Sequence, residues 1–477
     1  MRQLLVSLTL LCTIQMVAQQ DSTLVYKKRV LESTEVDFLS SYYSQDGNNA
    51  AVTGGIGTEK LTDFTPTIVV TMPMNDDDVL TVDAGISTYT SASSSNLNPF
   101  DRSGASQGAG HDDDRLAAAP GDVIGSPWVE SSGASRQDTW AGITVGYQHN
   151  SDDRNNIWSA DASFANEFDY TSFGVGGGYS RLFNEKNTEL GVHLKMYLDS
   201  WNPRYPTELD SYLEVGGNLN AGFFQGINII DQNGFVSTAW TPVPGFELIK
   251  NKGRNTYSAS FTFSQILSKR AQISLFFDVV RQDGWLANPM QRVYFADRPN
   301  FFIGNAANIN NYTSTSNTDV FQLADDIERL PSSRFKLPVG LRFHYYLNEM
   351  LTLRTYYRYY TDDWGITAHT ANVELPIKIS PKFTLYPSYR YYTQTQADYF
   401  AGFEQHLSTE AYYTSDFDLS KFNANQVGIG VSYTDIFANA HIGSFGLKSI
   451  DLKYNHYKRN TGLSANIIAF GFKFIMD

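Results

Sequence analysis

The amino-acid sequence predicts an all-β protein, a transmembrane antiparallel β-barrel of about 16 strands of the outer-membrane type. Three features indicate this fold. Apolar and polar residues alternate with a period of two, short and long connections alternate along the chain, and the N-terminus has the composition of a secretory signal. After that signal the chain contains no apolar stretch of roughly 20 residues, which excludes helical membrane spans.

The alternation of side chains is clearest in residues 80–87, which read Leu-Thr-Val-Asp-Ala-Gly-Ile-Ser. Successive side chains of a strand point to opposite faces, so this segment has one apolar and one polar face. The same alternation occurs in residues 190–199, 257–264 and 336–345. Many such strands must either close a barrel around water or stack as a sandwich. We predict strands at residues 35–45, 63–74, 79–92, 139–150, 157–169, 171–183, 188–200, 257–268, 271–283, 335–347, 351–362, 366–379, 383–395, 426–437, 447–459 and 463–475.

The connections between the predicted strands fall into two classes. Tight turns follow even-numbered strands, at residues 75–78, 184–187, 268–270, 348–350 and 380–382. Long segments follow odd-numbered strands, at roughly residues 46–62, 93–138, 201–256, 284–334 and 396–425. Outer-membrane barrels combine short periplasmic turns with long extracellular loops, whereas a soluble β-sandwich has no reason to separate its loops in this way. The sorting therefore favours the barrel and predicts that the long loops lie at the cell surface.

The N-terminus predicts export. A basic start at Arg2 is followed by an apolar run over residues 4–11 and by small residues near Ala18, as in a cleaved signal peptide. We predict a signal at residues 1–18, a short periplasmic segment at 19–34 and the barrel at 35–477, located in the outer membrane of a Gram-negative cell. The segment 19–34 is too short for the plug of a TonB-dependent transporter. Cys12 is the only cysteine, so the mature protein has no thiol for a disulfide, a Cys-ligated metal or a nucleophile.

The composition and the last strand indicate the surroundings of the protein. Aromatic residues make up 14% and charged residues only 18% of the chain, which suits interfacial aromatic girdles around a polar lumen. A net charge of −14 argues against nucleic acid as a partner. The final predicted strand places Ile468, Phe470, Phe472 and Phe474 on one face, as expected of a terminal strand read by barrel-assembly machinery. The expected partners are that machinery and outer-membrane lipid.

Two loop segments resemble a known family. Residues 44–61 read SQDGNNAAVTGGIGTEKL and residues 126–138 read SPWVESSGASRQD. In these segments, and through most of the mature chain, the sequence resembles the domain-of-unknown-function 3570 (DUF3570) family. The resemblance implies a predicted outer-membrane protein of a kind common in Bacteroidota. It implies no catalytic residues.

Two glycine-rich segments, residues 54–57 and 174–178, resemble phosphate-binding loops only superficially. Neither has the strand-to-helix context or the Lys-Ser/Thr ending of such a loop, so we interpret them as a loop and as a strand with small lumenal side chains. The eight histidines are scattered and show no spacing to a serine that suggests a catalytic pair. The sequence therefore predicts a protein that is not an enzyme and needs no cofactor; an outer-membrane enzyme would require a Ser/His or Asp/His pair converging at the rim.

One surface loop is a candidate cation site. Asp112, Asp113 and Asp114 follow His111 in a segment rich in Gly and Ser, and Asp101 precedes them. Carboxylate oxygens are suitable ligands for Ca²⁺. The alternative is a solvated acidic surface, because adjacent side chains cannot all point at one ion. The second acidic run, residues 76–78, is interpreted as a periplasmic turn.

Charged residues on the polar strand faces predict a charged lumen. The predicted basic wall consists of Lys336, Arg342, Arg354, Arg358, Lys378 and Arg390. The predicted acidic wall consists of Asp83, Asp161, Glu167 and Asp278. Opposite charges on opposite walls would create a field across an open pore, whereas the same residues in a closed lumen would form salt bridges that fill it.

Two functions follow from these alternatives. A wet lumen predicts a porin-like channel or transport component. A closed lumen predicts a scaffold that presents its surface loops to a partner, and an inward-folded loop at residues 201–256 or 284–334 would favour it.

Overall fold

The described part of the chain forms one closed barrel. The computed structural model describes residues 29–90, 137–202, 229–230, 236–237, 251–288, 291–297, 325–435 and 437–476. The barrel has 16 strands. They are β1 (Glu35–Asp46), β2 (Leu61–Pro73), β3 (Asp78–Thr90), β4 (Gln137–Asn150), β5 (Asn156–Asn166), β6 (Tyr170–Phe183), β7 (Thr188–Trp201), β8 (Lys252–Ser268), β9 (Ala271–Gly284), β10 (Ser333–Tyr346), β11 (Thr352–Asp362), β12 (Thr367–Glu374), β13 (Phe383–Gln394), β14 (Phe422–Thr434), β15 (Phe445–Arg459) and β16 (Ser464–Met476).

The barrel closes between its first and last strands. Every strand pairs antiparallel with its neighbour in the chain, and β1 pairs with β16 from Glu35 opposite Ile475 to Asp46 opposite Ser464. The described strands therefore leave no unpaired sheet edge that would expose backbone N–H and C=O groups. The even strand number places the start of β1 and the end of β16 at the same end of the barrel.

The predicted strands are confirmed in number and order, and most of their boundaries agree within two residues. β8 begins at Lys252 and β14 at Phe422, several residues before the predicted starts, because pairing with β7 and β13 continues where the alternation has ended. β5 ends at Asn166 rather than at residue 169. β12 is interrupted after Glu374 and continues as Ile377–Lys378, because Pro376 has no N–H to donate to the ladder.

The two ends of the barrel differ as the sequence predicted. Residues 74–77, 151–155, 184–187, 269–270, 347–351, 379–382 and 435–444 connect even-numbered strands to the next, and this is the short-turn end. The long connections, residues 47–60, 91–136, 202–251, 285–332 and 395–421, all follow odd-numbered strands, at the long-loop end. Backbone N–H of Val30 donates to O of Asp76 at 3.0 Å, which places the N-terminal segment at the short-turn end.

The outer face of the barrel is apolar and exposed. Leu194 is 59%, Phe261 45% and Val427 61% exposed, although none of them lies in a loop. An apolar surface that surrounds a closed barrel needs an apolar solvent, and the acyl chains of a bilayer provide it. Aromatic pairs lie near the rim, such as Phe383 and Tyr433 with ring centroids 5.2 Å apart. No helix among the described residues is long and apolar enough to cross a membrane.

Lumenal glycines allow charged side chains to cross a neighbouring strand. Lys195 on β7 reaches Asp161 on β5 over Gly176 of β6, which lies between them in register. A Cβ at Gly176 would lie 2.5 Å from Oδ1 of Asp161 and 2.7 Å from Cδ of Lys195. Gly430 has a similar place between Lys453 on β15 and Tyr386 on β13. The missing side chains thus make room for ion pairs between strands that are not hydrogen-bonded to each other.

Substitution Gly176→Val is therefore expected to destabilise the barrel by about 1–3 kcal/mol, because the added methyl groups displace the Lys195–Asp161 pair. The measurement is the temperature at which the folded, fast-migrating gel band converts to the unfolded one. Gly177→Val is the matched control, because Gly177 faces outward and its Cβ would meet only the Ser159 carbonyl oxygen at 3.5 Å. Equal conversion temperatures for both variants would contradict this role of Gly176.

Candidate functional site: the lumen and its cap

Basic residues line one side of the lumen. Arg342 on β10, Arg354 and Arg358 on β11, and Arg390 on β13 occupy the strand positions that alternate with outward-facing apolar residues. The register places Lys336 on the same face of β10, opposite Asp362 of β11. Lys378, on the continuation of β12, pairs with Thr384 near the short-turn end. All six residues of the predicted basic wall thus lie on the lumenal face of neighbouring strands.

Aromatic rings hold several of these guanidinium groups. Cζ of Arg342 lies 5.5 Å from the ring centroid of Phe276 and 5.8 Å from that of Tyr356. These two rings stack with centroids 5.7 Å apart and an interplanar angle of 13°. Arg358 lies 5.8 Å from the ring of Tyr360. Contact with a ring restrains the planar guanidinium while leaving its N–H edges available.

Some lumenal charges are paired. Nη1 of Arg354 lies 3.0 Å from Oε1 of Glu374, and Nζ of Lys453 lies 3.2 Å from Oε2 of the same carboxylate. Arg334 at the long-loop end of β10 donates to Asp362 at 2.9 and 2.5 Å. The hydroxyl of Tyr360 also donates to Asp362, at 2.7 Å. Asp362 therefore neutralises the basic wall at the long-loop end, and Glu374 neutralises it toward the short-turn end.

The middle of the basic wall carries unpaired charge. Within the described residues, Arg342, Arg358 and Arg390 have no carboxylate within ion-pair distance. Lys336 lies nearer the long-loop end, in register with Asp362. The wall thus keeps a net positive charge at mid-height.

The predicted acidic wall is only partly present. Asp161 faces the lumen on β5, but Lys195 pairs with it and Nε2 of His193 lies 3.2 Å from its Oδ1. Asp278 faces the lumen on β9, which adjoins the basic strands instead of facing them. Glu167 was wrongly placed on a lumenal strand face: β5 has ended, and N–H of Glu167 donates to O of Tyr170 at 2.8 Å in a turn. Asp83 on β3 faces the lumen on the side away from β11.

Sequence reasoning missed a second carboxylate beside Asp83. Asp63 on β2 faces the lumen and accepts hydrogen bonds from Ser87 at 2.5 Å and Thr65 at 2.8 Å. It lay at the first position of a predicted strand, where the face of a residue is poorly determined by alternation. Asp63 and Asp83 therefore face the lumen from the neighbouring strands β2 and β3.

The lumen is accessible to solvent at the height of the arginines. Arg342, Arg354 and Arg390 face inward and are nevertheless exposed, Arg354 to 46% of its side-chain surface. A cavity of about 550 Å³ lies next to Arg354 in the half of the lumen toward the short-turn end. Its polar lining includes Asp37, Arg354, Glu374, Tyr386, Lys453 and Lys473. Side chains therefore do not fill this part of the barrel.

Loops at the long-loop end pack into a folded cap, formed by the described residues of 47–60, 285–297, 325–332 and 395–421. Its core contains Val293, Phe295 and Tyr413, which are almost wholly buried. The rings of Phe295 and Tyr413 meet edge to face with centroids 5.1 Å apart. Backbone bridges join Phe295 to His406 and Arg329 to Tyr413. The cap is thus a small hydrophobic core outside the barrel wall.

The cap covers part of the mouth from within. Ala368, Gln394, Ala424 and Ala465 face inward at the long-loop ends of β12, β13, β14 and β16, and each is at most 7% exposed. The side-chain amide of Gln394 donates to the carbonyl oxygens of residues 418 and 420, at 2.9 and 2.6 Å. Segment 395–421 therefore folds over the lumen above these strands. Inward folding of residues 201–256 or 284–334 would favour the scaffold. The described residues of 285–297 and 325–332 contribute to the cap, and most of 203–250 lies outside the described residues.

Two buried carboxyl groups join segments of the cap. Glu328 accepts hydrogen bonds from backbone N–H of Asn288 at 2.8 Å and from the hydroxyl of Thr414 at 2.5 Å. Burial, with a smaller contribution from the charge of Asp416, raises the pKa of Glu328 to about 8. Burial also raises the pKa of Asp416 to about 6, with the nearby charge of Asp418 acting in the same direction. Both groups thus keep a proton to higher pH in the folded cap than they would in water.

The predicted cation loop, Asp112 to Asp114 with His111 and Asp101, lies outside the described residues, as does Cys12. Among the residues that are described, no group of three or more His, Cys, Asp or Glu side chains is placed to hold a metal ion. The acidic turn at residues 76–78 makes ion pairs with Arg29, Arg154 and His149. Its geometry thus agrees with a structural role for that turn.

The pKa of Glu328 predicts that the cap loosens as the pH rises. An acid whose folded-state pKa is raised contributes stability below its ordinary value near 4.5, and that stability is lost as the pH rises through about 8. Hydrogen-exchange protection factors in residues 397–415 should therefore fall between pH 5 and pH 9. In Glu328→Gln, which cannot ionise, the decrease should be smaller.

The matched control for this experiment is Glu404→Gln, which changes a solvent-exposed carboxylate of the same loop. It should leave the pH profile unchanged. An equally steep decrease in Glu328→Gln would show that other groups control the cap.

The chain matches one protein-family model and is similar to several solved outer-membrane proteins. A family model described as "Protein of unknown function (DUF3570)" matches residues 4–466. Similar solved structures include one titled "Bacterial polysaccharide outer membrane secretin" (9% identity, TM-score 0.41), with 93% of this chain and 99% of that chain covered. Another is a mutant of the TodX monoaromatic hydrocarbon channel (9% identity, TM-score 0.36; 94% and 91% covered). A third is the outer membrane protein opdK from Pseudomonas aeruginosa (8% identity, TM-score 0.34; 93% and 99% covered).

Such low identities and TM-scores say nothing about which solute this chain binds. No curated protein has significant sequence similarity to the chain.

Proposed function

The chain belongs to the DUF3570 family, and we propose that it forms an outer-membrane channel that conducts small anions through a water-filled lumen. The predicted signal peptide, the apolar outer face and the separation of short turns from long loops support an outer-membrane location, with the short-turn end in the periplasm. The proposed role is passive conduction without catalysis.

The observation that carries this proposal is the solvent exposure of inward-facing arginines. Arg342 and Arg390 are exposed inside the barrel and have no carboxylate partner among the described residues. An unpaired guanidinium remains charged at any accessible pH, and removing it from water is costly. These side chains are therefore best explained by water around them.

The distribution of charge supports selectivity for anions. Arg342, Arg358 and Arg390 carry unpaired charge along the middle of one wall, whereas Asp161 is neutralised by Lys195. A narrow lumen with a low-dielectric wall concentrates the field of such charges and raises the local concentration of counter-ions. Small anions should therefore enter more readily than cations of the same size.

The cap supports a second candidate function, a scaffold that presents its surface to a partner. Ala368 and Ala465 at the inner rim are at most 2% exposed beneath it, so the cap obstructs the part of the mouth above β12–β16. If the cap also obstructed the rest of the barrel mouth, it would prevent conduction. The outer surface of the cap would then be the functional part of the protein.

Single-channel recordings in planar bilayers distinguish the two functions. The channel proposal predicts conductance and a reversal potential that reports a preference for anions. The double substitution Arg358→Ser/Arg390→Ser should shift the reversal potential toward cation selectivity. The shift should be larger in dilute salt, because the Debye length increases from about 10 Å at 0.1 M to about 30 Å at 0.01 M.

The control is Arg281→Ser, which removes an arginine from the outer face of β9, where the side chain is 63% exposed and paired with Asp283. It should leave the reversal potential unchanged. A folded wild-type barrel that shows no conductance would exclude the channel and favour the scaffold.

A further inference from the structure

Arginine and tyrosine alternate along the lumenal face of β11. Four successive inward positions of this strand are Arg354, Tyr356, Arg358 and Tyr360. Arg342 of the neighbouring strand lies against Tyr356, and so at a height between the two arginines of β11. Inward residues of one strand are about 7 Å apart along the strand, so guanidinium groups recur at about this interval.

A fourth guanidinium, that of Arg390, lies in the same row of register-aligned residues as Arg342. The register aligns Arg342 with Tyr356, Tyr356 with Asn372, and Asn372 with Arg390, across β10 to β13. Three strand spacings correspond to about 14 Å. Arg358 lies one step nearer the long-loop end, aligned with Thr370 of β12. Arg342, Arg358 and Arg390 therefore surround a polar patch that contains Asn372 and Thr370.

These three residues differ from Arg354 and Arg334 of the same wall. Arg354 is paired with Glu374 and Arg334 with Asp362, whereas Arg342, Arg358 and Arg390 have no carboxylate within ion-pair distance among the described residues. The rings of Tyr356 and Tyr360 restrain two of the three guanidinium planes. The N–H edges of these groups are thus oriented before any ligand arrives, which reduces the entropy lost on binding.

The shape of the guanidinium indicates which anions it would bind. Two parallel N–H groups match the two oxygens of a carboxylate or phosphate, whereas a halide accepts no such paired contact. We propose that Arg342, Arg358 and Arg390 form a binding site for solutes that carry two or more carboxylate or phosphate groups separated by about 7–14 Å. This proposal rests on the proposed function in assuming a wet lumen, and it adds the class of solute.

The spacing of the arginines makes the site measurable with a series of linear dicarboxylates. Binding of succinate, adipate, suberate and dodecanedioate to the detergent-solubilised full-length protein is measured by calorimetry. All four carry the same charge, so an attraction that depends on charge alone gives similar affinities. The site predicts an affinity that rises from succinate to the longer acids. Tripolyphosphate, as a separate probe, reports whether phosphate oxygens are accepted as well as carboxylates.

The second measurement uses arginine-to-lysine substitutions, which keep the positive charge but remove the paired N–H groups of the guanidinium. Arg358→Lys and Arg342→Lys should each weaken dicarboxylate binding about tenfold or more, as expected for lost hydrogen bonds to a charged group. The anion preference in planar bilayers should be retained in both variants. Arg281→Lys on the outer face should bind as the wild type does. Retention of the heat-modifiable gel band confirms that each variant is folded.

The outcomes separate this inference from the channel proposal. The binding site would be excluded if affinity did not depend on the length of the acid, or if the lysine variants bound as well as the wild type. The channel proposal would still stand if the protein conducted anions selectively. A barrel without conductance could still show binding that depends on acid length and is lost in the lysine variants. That result would support the binding site and exclude the channel.

Discussion

The core of a bilayer contains no water to pair with backbone N–H and C=O groups, so a strand can cross it only when both of its edges are hydrogen-bonded. The ladder between β1 and β16, from Glu35 opposite Ile475 to Asp46 opposite Ser464, meets this requirement for the two strands that would otherwise be edges. Closure also divides every strand into a lipid face and a lumenal face. The positions of Arg342, Arg358 and Arg390 inside the barrel follow directly from that division.

The lumenal face tolerates charges because it has room and neighbours for them. Glycine at position 176 lets Lys195 reach Asp161 across a strand, and Glu374 forms ion pairs with both Arg354 and Lys453. Aromatic rings support Arg342 and Arg358, two of the arginines that lack a carboxylate. The wall is therefore rigid and partly neutralised at its ends, and it keeps its net positive charge at mid-height, where a passing solute would meet it.

The period-two pattern predicted the barrel, the sorting of its connections and the lumenal face of the basic residues, because each depends only on local alternation. It did not predict that Asp161 is neutralised, since that depends on the register of three strands. Nor did it predict the cap, whose core joins Phe295 to Tyr413 although the four strands β10 to β13 lie between them in the chain. Glu167 was misplaced because polar residues near a strand end do not show where pairing stops.

The central claim, that the basic wall faces water inside a closed barrel, is tested most directly by cysteine accessibility. With Cys12 replaced, single cysteines are introduced at Arg342, which faces the lumen, and at its neighbour Phe343, which faces outward. The proteins are reconstituted in lipid vesicles and treated with a charged, membrane-impermeant thiol reagent. The account predicts rapid labelling at position 342 and almost none at position 343. Protection of both positions, with a cysteine at exposed Glu404 still labelled, would contradict a wet lumen.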